Sequence, residues 1–529
     1  MNSAEMKAAE RPTRCDQGPS CVLVQIAAVY DWLYRDMIRE LREAYGTRFI
    51  FLTRGDLWKD RYGDLLTEAD TALDLGELET AKERQQSSDE EVYAAARRYE
   101  LRYGIVYMRD IVQQERTIAT RFLPSAPFFA VPPGQLTEQA ALTRRINAYF
   151  AAFEDLLSRE NVDLIFARPD SLHGVPLVAV ATRQGIPTTF PDVAKYKGLV
   201  TWAHGAYRSG GLIRAVYEAI PQQAEPEESV EDLRYADKDF KGSGGAFSLA
   251  RVARDILLTS VDRAGLILDS LRHGRWGRRT SYWTGVRRIV NAYRAARWLD
   301  RNSRHPEDIA RTAYVLFLLP VEPEFNTHSL AREFCNSLAI VQQVALCLPA
   351  GYRLVVKEHG SNLGNRRLDY YRDLAKFPSI DFVDHRVPGT VLARGAAAVA
   401  TISGTIGIEA SLIAKPTIIF STRTIYDFLP HIRIVTSMYD LPEALGWAIR
   451  TRSPEERSAI RAAGARFYAA LQNVGFPAEN SPLFKGDDRR LEAAARRRAL
   501  TILLETYNRQ RQEFAAAAKR NSIQKASVK

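Results

Sequence analysis

Cysteine is scarce in this chain. The four present, Cys15, Cys21, Cys335 and Cys347, form no CxxC pair and follow no regular spacing. In a chain of 529 residues this excludes a disulfide frame and points to reduced thiols in a reducing compartment. Long apolar runs are missing as well. No stretch reaches the roughly 18 consecutive apolar residues that a membrane helix needs. The opening residues, MNSAEMKAAERPTRCDQGPS, lack an apolar h-region, so no secretory signal is expected. No internal repeat of fixed period occurs, and no RNA- or DNA-binding motif accompanies the basic residues. The expectation is a soluble, intracellular protein without a metal site or cofactor.

What remains is ordinary globular material, 46% hydrophobic and 26% charged. At 59.6 kDa the chain exceeds one hydrophobic core, so two domains with additional elements are expected. A net charge of +10 and a pI near 9.3 leave three anionic partners open: nucleic acid, a membrane surface or phosphorylated substrates.

The apolar run Cys21–Ala28, the helical spacing of Asp31–Tyr45 and the second run Arg48–Leu52 predict a β-α-β opening. Residues 64–120 read as charged and helix-prone. Further on, helix Ile146–Leu157, strand Asp163–Ala167, helix Val175–Gln184 stopped by Gly185, and strand Pro187–Phe190 continue a doubly wound sheet. Residues 221–248, rich in Pro, Glu, Asp and Gly, read as a linker or mobile loop, and helical segments follow to about Asp300.

A second series then begins. Strands are expected at Ala313–Leu319, Arg353–Lys357, Ile380–Val383, Ala398–Ile402 and Thr417–Phe420. Helices are expected at Ser329–Leu348, Arg367–Lys376 and Thr405–Ile413. The tail from Asp487 reads as a charged helix that frays after Ala518. The predicted organisation is a polar leader (1–20), an N-terminal α/β domain (21–220), the linker (221–248), a basic helical segment (249–310), a C-terminal α/β domain (311–486) and the tail (487–529).

Three segments carry chemistry. In Thr401-Ile-Ser-Gly-Thr-Ile-Gly-Ile-Glu-Ala, a β-branched strand runs through Ser403, Gly404 and Thr405 straight into a helix. Glycine lets backbone approach a ligand, the hydroxyls donate, and the helix start favours negative charge. Glu409, one turn in, suits ribose hydroxyls. An ordinary N-cap by Ser403 or Thr405 explains the same string. Lys357-Glu358-His359-Gly360-Ser361 puts Lys357 and His359 at a strand's carboxyl end, where ligands of doubly wound sheets bind, or in a plain surface turn. Pro320-Val-Glu322-Pro323-Glu324 offers carboxylates to a base or sugar, or forms a solvated acidic loop.

The strings "PVEPE", "LPAGYRLVVKEH" and "TISGTIGIEASLIAKPTIIF" occur in this order. Together they make the run from Tyr314 to Pro416 resemble the capsule polysaccharide biosynthesis family, and within it the Kdo-transferase-like proteins of GT-B shape. The resemblance covers about a hundred residues. It implies two Rossmann-like domains and a glycosyltransferase at the cytoplasmic face of the membrane. Its donor would be a nucleotide sugar, often CMP-Kdo, and its acceptor a surface polysaccharide or glycolipid precursor. It further implies that His359 faces the nucleotide phosphate, that Ser403 and Thr405 hold phosphate or a sugar carboxylate, and that Glu324 reads the nucleoside. The chain departs from the family at two places, with Glu322-Pro323-Glu324 for Gln-Pro-Glu and His359-Gly360 for His-Pro. A nucleotide-sugar 2-epimerase and a non-catalytic capsule assembly or export protein are the alternatives.

Transfer with inversion needs a base near the acceptor. Asp170 and His173, in "RPDSLHG" after a strand, are the expected catalytic pair, with Asp192 and His204 further on. Asp170 or Ser171 also suits a helix cap. Arg272–Arg304 carries ten arginines and one acid, Asp300, interleaved with Trp276, Tyr282, Trp283, Tyr293 and Trp298. This pattern suits an anionic membrane surface, single-stranded nucleic acid or a solvated helical face; nucleic acid is not expected as a partner.

Overall fold

The computed structural model describes residues 18–26, 30–54, 58–83, 85, 88–115, 118, 138–193, 198–204, 211–221, 250, 252–258, 260, 282–322, 324–478 and 491–527. The predicted linker after Pro221, the leader before Gly18 and the arginines at 272–279 lie outside them. The strands are β1 (Cys21–Gln25), β2 (Arg48–Thr53), β3 (Thr71–Asp74), β4 (Leu164–Phe166), β5 (Thr188–Val193), β6 (Leu199–His204), β7 (Ser303–Arg304), β8 (Tyr314–Leu318), β9 (Arg353–Lys357), β10 (Ile380–Val383), β11 (Ala398–Thr401), β12 (Thr417–Ile419), β13 (Ile432–Ile434) and β14 (Phe476–Pro477).

They form two seven-stranded sheets, in the orders β14-β6-β5-β4-β1-β2-β3 and β13-β12-β11-β8-β9-β10-β7. The second is parallel throughout. The first is parallel except where β6 runs antiparallel to β5 and β14 antiparallel to β6. Both are doubly wound, and the chain has the GT-B-like architecture of two Rossmann-like domains.

Alternation along each central strand explains the layers. In β8, Val315 and Phe317 join one buried cluster while Tyr314 and Leu316 join another, so both faces bury apolar side chains under helices. β1 does the same with Cys21 and Leu23 against Val22 and Val24. Helix Gly174–Gln184 ends where expected, at Gly185, whose φ of +73° costs least without a Cβ.

Three expectations are corrected. β3 falls within the stretch read as helix-prone; its half-exposed Thr-Ala-Leu-Asp pairs with β2 at the sheet edge, too polar to announce a strand. The helix expected from Ser329 starts at Ser337, capped by Asn336, whose side chain accepts from the Ala339 amide. The residues before it fold into short turns instead, because they serve the domain junction. Leu330 packs on Phe190 and Ala203 of the N-terminal sheet, and Ser329 Oγ donates to Gln114 Oε1 at 2.9 Å. Arg332 pairs with the buried Asp110, and Gln113 Nε2 donates to Arg332 O at 2.8 Å. The tail helix, Ala493–Ser527, runs past Ala518, consistent with the high helix propensity of its alanine run.

That helix, with β14, also returns the chain to the N-terminal domain. Ala495, Ala499, Ile502, Leu503 and Tyr507 are buried against its core, and Trp202 Nε1 donates to Ala499 O at 2.9 Å.

Candidate active site

In the C-terminal sheet the order reverses between β8 and β11, the switch point where ligands of such sheets bind beyond the strand ends. β9 and β11 flank β8 on either side, with Lys357 level with Leu318 and Ala400 level with Phe317. The Lys357–His359 and Ser403–Thr405 loops therefore leave one edge, about 10 Å apart across two strand spacings.

Lys357 ends β9 and is 9% exposed; its Nζ donates to Glu358 O at 3.2 Å. Burial lowers its pKa, while Glu358, Glu409 and Asp384 act in the opposite sense. Glu409 sits on the helix after the Ser403 loop, so the charges of two predicted segments already sense each other. Ser403 is buried, and Gly404 is tied from both sides: its amide donates to Thr401 Oγ1 at 3.1 Å and its carbonyl accepts from Tyr426 Oη at 3.1 Å. A Cβ on Gly407 would stand 2.1 Å from Tyr426 Oη, so the tyrosine and the glycine fit as a unit. Thr405 precedes helix Ile406–Leu412 and makes no side-chain cap bond, so an ordinary Thr405 cap is not what the turn contains. His359 is half-buried; its amide donates to Glu358 Oε1 at 2.7 Å and its carbonyl accepts from the Asn362 amide at 2.8 Å.

Beneath these loops lies a fully buried charge network that sequence reasoning passed over. Arg366 donates from Nη1 to Glu358 Oε1 at 2.6 Å and from Nη2 to Glu322 Oε2 at 3.1 Å and to Pro320 O. Glu322 also accepts from Ser337 Oγ at 2.8 Å, and Glu358 from Tyr371 Oη at 2.6 Å. Burial alone would lower the Arg366 pKa, but Glu358, Tyr370 and Glu322 outweigh it and keep the guanidinium charged. Of the two carboxylates in "PVEPE", Glu322 is thus an internal brace. Glu324 is half-buried, and its carbonyl accepts from the amides of Thr327 and His328.

Opposite, β4 delivers Arg168 and Asp170. Arg168 Nε lies 2.7 Å from Asp170 Oδ2, Nη1 donates to Tyr30 Oη at 3.2 Å, and the guanidinium stands 5.8 Å from that ring's centre. Burial opposes its charge, but Asp170, Tyr30, Asp192 and Glu324 hold its pKa up. Arg168 thus gathers carboxylates from both domains.

His173 has other neighbours. Its ring packs against Tyr149 at 5.8 Å, and burial, with Arg54 and Arg145 nearby, pushes its pKa down to about 3. Both arginines pair with Glu79. Asp170 thus pairs with Arg168, while Arg54 and Arg145 are the charges that act on His173. Ser171 holds the helix start, accepting from the Gly174 amide at 3.0 Å. The side chain of His204 lies outside the described residues.

Asp427 was not singled out from the sequence. Burial raises its pKa to about 6 despite the Thr424 amide and Arg214, and it directly follows Tyr426. No sequence spacing signals it, because its environment is built by a loop folding back on Gly404.

In the basic segment, Trp298 turns inward, 5.2 Å from Phe382 and 6.0 Å from Tyr371, so it is core and unavailable to a membrane interface. Arg287, Arg288, Arg294 and Arg297 are exposed. Among the described residues no helix is long and apolar enough to cross a membrane.

No protein-family model matches the chain, and no curated protein matches it by sequence. Solved structures that resemble it include a UDP-GlcNAc 2-epimerase from Neisseria meningitidis bound to UDP-GlcNAc, at 12% identity over 85% of this chain and 98% of that one, with a TM-score of 0.27. The β-Kdo 2,4-transferase KpsC of Thermosulfurimonas dismutans is similar at 11% identity over 58% and 80%, with a TM-score of 0.28. A UDP-forming α,α-trehalose-phosphate synthase from Burkholderia vietnamiensis is similar at 9% identity over 86% and 95%, with a TM-score of 0.29. Likeness at this level carries no argument about substrate or reaction, and the fold rests on the strand orders themselves.

Proposed function

We propose that this chain is a glycosyltransferase that moves a sugar from a nucleotide-activated donor, such as CMP-Kdo, to a surface polysaccharide or its lipid-linked precursor. The observation that carries the reading is geometric: the Lys357–His359 and Ser403–Thr405 loops leave one carboxyl edge of the C-terminal sheet, and the Arg168–Asp170 pair, 2.7 Å apart, follows a strand of the N-terminal sheet across the junction. A donor on the Lys357–Ser403 edge and an acceptor beside Asp170 would meet there.

In this reading Lys357, His359, Ser403, the Gly404 backbone and Thr405 bind the donor phosphate, Glu409 accepts from ribose, and Glu324 contacts the nucleoside or sugar. The acceptor oxygen attacks the anomeric carbon and its proton passes to Asp170. The carbon–oxygen bond to phosphate breaks, and the nucleotide leaves with the electron pair, stabilised by Lys357. His173, buried against Tyr149 beside Arg54 and Arg145, stays neutral at neutral pH and serves as a hydrogen-bonding group. The arginine-rich helix would hold the protein at an anionic inner leaflet, beside a lipid-linked acceptor.

The test is product analysis with CMP-, UDP- and GDP-sugars, with and without polysaccharide or glycolipid acceptors. Acceptor-dependent release of nucleotide with glycosylated product is expected. Epimerised nucleotide sugar formed without acceptor would establish the epimerase instead, and absence of both turnover and binding would leave an assembly protein.

A further inference from the structure

The groove between helix Tyr282–Asn302 and helix Leu368–Ala375 has a volume of about 660 Å³. Arg294, Arg297 and Arg301 line one wall and Arg367 and Arg372 the other, with Asp369 the carboxylate in the lining. That single acid is shared: Arg372 Nη1 stands 3.3 Å and Arg367 Nη2 3.6 Å from its two oxygens. Asp300, the acid on the arginine helix, is taken by Arg386 at 3.1 Å. Among the described residues, Arg294, Arg297 and Arg301 have no carboxylate within 4.0 Å, and Arg297 instead lies 6.0 Å from the centre of the Tyr293 ring.

The walls are fixed. Trp298 packs on Tyr371 and Phe382, and Asn291 Nδ2 donates to Gly364 O at 3.0 Å, so both helices are seated on the sheet. Five guanidiniums held in a concavity repel one another, and the arrangement becomes favourable when an anion enters. Planar guanidiniums match phosphate oxygens two at a time, and the volume suits a small phosphorylated molecule. The groove is not the candidate donor site. Both its helices pack on the sheet face carrying Val315 and Phe317, whereas helix Ile406–Leu412 packs on the opposite face with Leu316 and Val399.

We infer that this groove is a second anion site, which takes the phosphate of a phosphorylated ligand. The inference stands independently of the glycosyl-transfer reading.

The test uses the full chain and an Arg297→Gln/Arg372→Gln variant, both changes at exposed positions, with thermal melting to confirm that the variant folds. One arm titrates inorganic pyrophosphate by calorimetry at low and high salt. The other sediments the protein with vesicles of phosphatidylcholine alone or mixed with phosphatidic acid. Salt-sensitive pyrophosphate binding that weakens about tenfold or more in the variant, but survives Ser403→Ala/Thr405→Ala, is expected. Pelleting with phosphatidic acid that the variant loses, in the absence of pyrophosphate binding, would identify a lipid headgroup as the phosphate source. Binding of neither probe by the wild type, or unchanged binding by the variant, overturns the inference.

Discussion

Arg366 Nη1 lies 2.6 Å from Glu358 Oε1, and neither side chain has any exposed surface. The same guanidinium reaches Glu322, so one buried cation ties the loop after β8 to the loop after β9. Both loops carry candidate donor-binding residues, Glu324 on one and His359 on the other, and neither can shift without breaking a charged contact.

Arg366→Met should therefore cost about 3–5 kcal/mol at neutral pH, because it strands two carboxylates without their counter-ion. Urea unfolding measures this. A loss under about 1 kcal/mol would mean that the carboxylates repack or take up protons at little cost, and that the brace has been misread.

Stability should also fall as pH drops below about 6. Burial pushes His431 down to about 4 and His173 down to about 3, against an ordinary value of 6.5. Above pH 6.5 both are neutral folded or unfolded and contribute no slope. Below it the unfolded chain takes up protons that the folded chain refuses, so each histidine removes up to about 1.4 kcal/mol per pH unit until its folded pKa is reached. Urea unfolding between pH 7 and pH 4.5 should show a shallower slope for His431→Gln than for wild type. Equal slopes would place the acid sensitivity elsewhere.

Asp170→Asn should reduce turnover by about 100-fold or more while leaving nucleotide affinity within about twofold. His173→Gln should retain most of its turnover. The reverse pattern, with His173 essential and Asp170 dispensable, would reassign the base.

Much of this fold was legible in the sequence because doubly wound sheets write it plainly. Strands such as Tyr314–Leu318 are continuous apolar runs, and Gly185 ends its helix as a left-handed cap. The parts that were not legible depend on distant partners. Thr71–Asp74 becomes a strand only because β2 offers an edge, and Ser329 leaves the helix pattern to meet Gln114. The site divides the same way. The loops after Lys357 and around Ser403 leave one edge because their strands flank β8 in a parallel sheet. Glu322 read as a ligand contact or a solvated charge, and nothing in the sequence joins it to Glu358 and Arg366, with which folding buries it. Trp298 shows the converse: its spacing among arginines suggested an interface, yet its partners are Tyr371 and Phe382.

The central claim is that a nucleotide binds at the Lys357–Ser403 edge of the C-terminal sheet. Calorimetric titration of CMP, UDP and GDP, with their sugars, into the wild type and a Ser403→Ala/Thr405→Ala variant tests it most directly. Each lost charge-assisted hydrogen bond costs about 1.5–3 kcal/mol, so one nucleotide series should bind the wild type and weaken at least about tenfold in a variant that melts at the same temperature. Equal affinity in the two proteins, or no binding by either, would contradict the account.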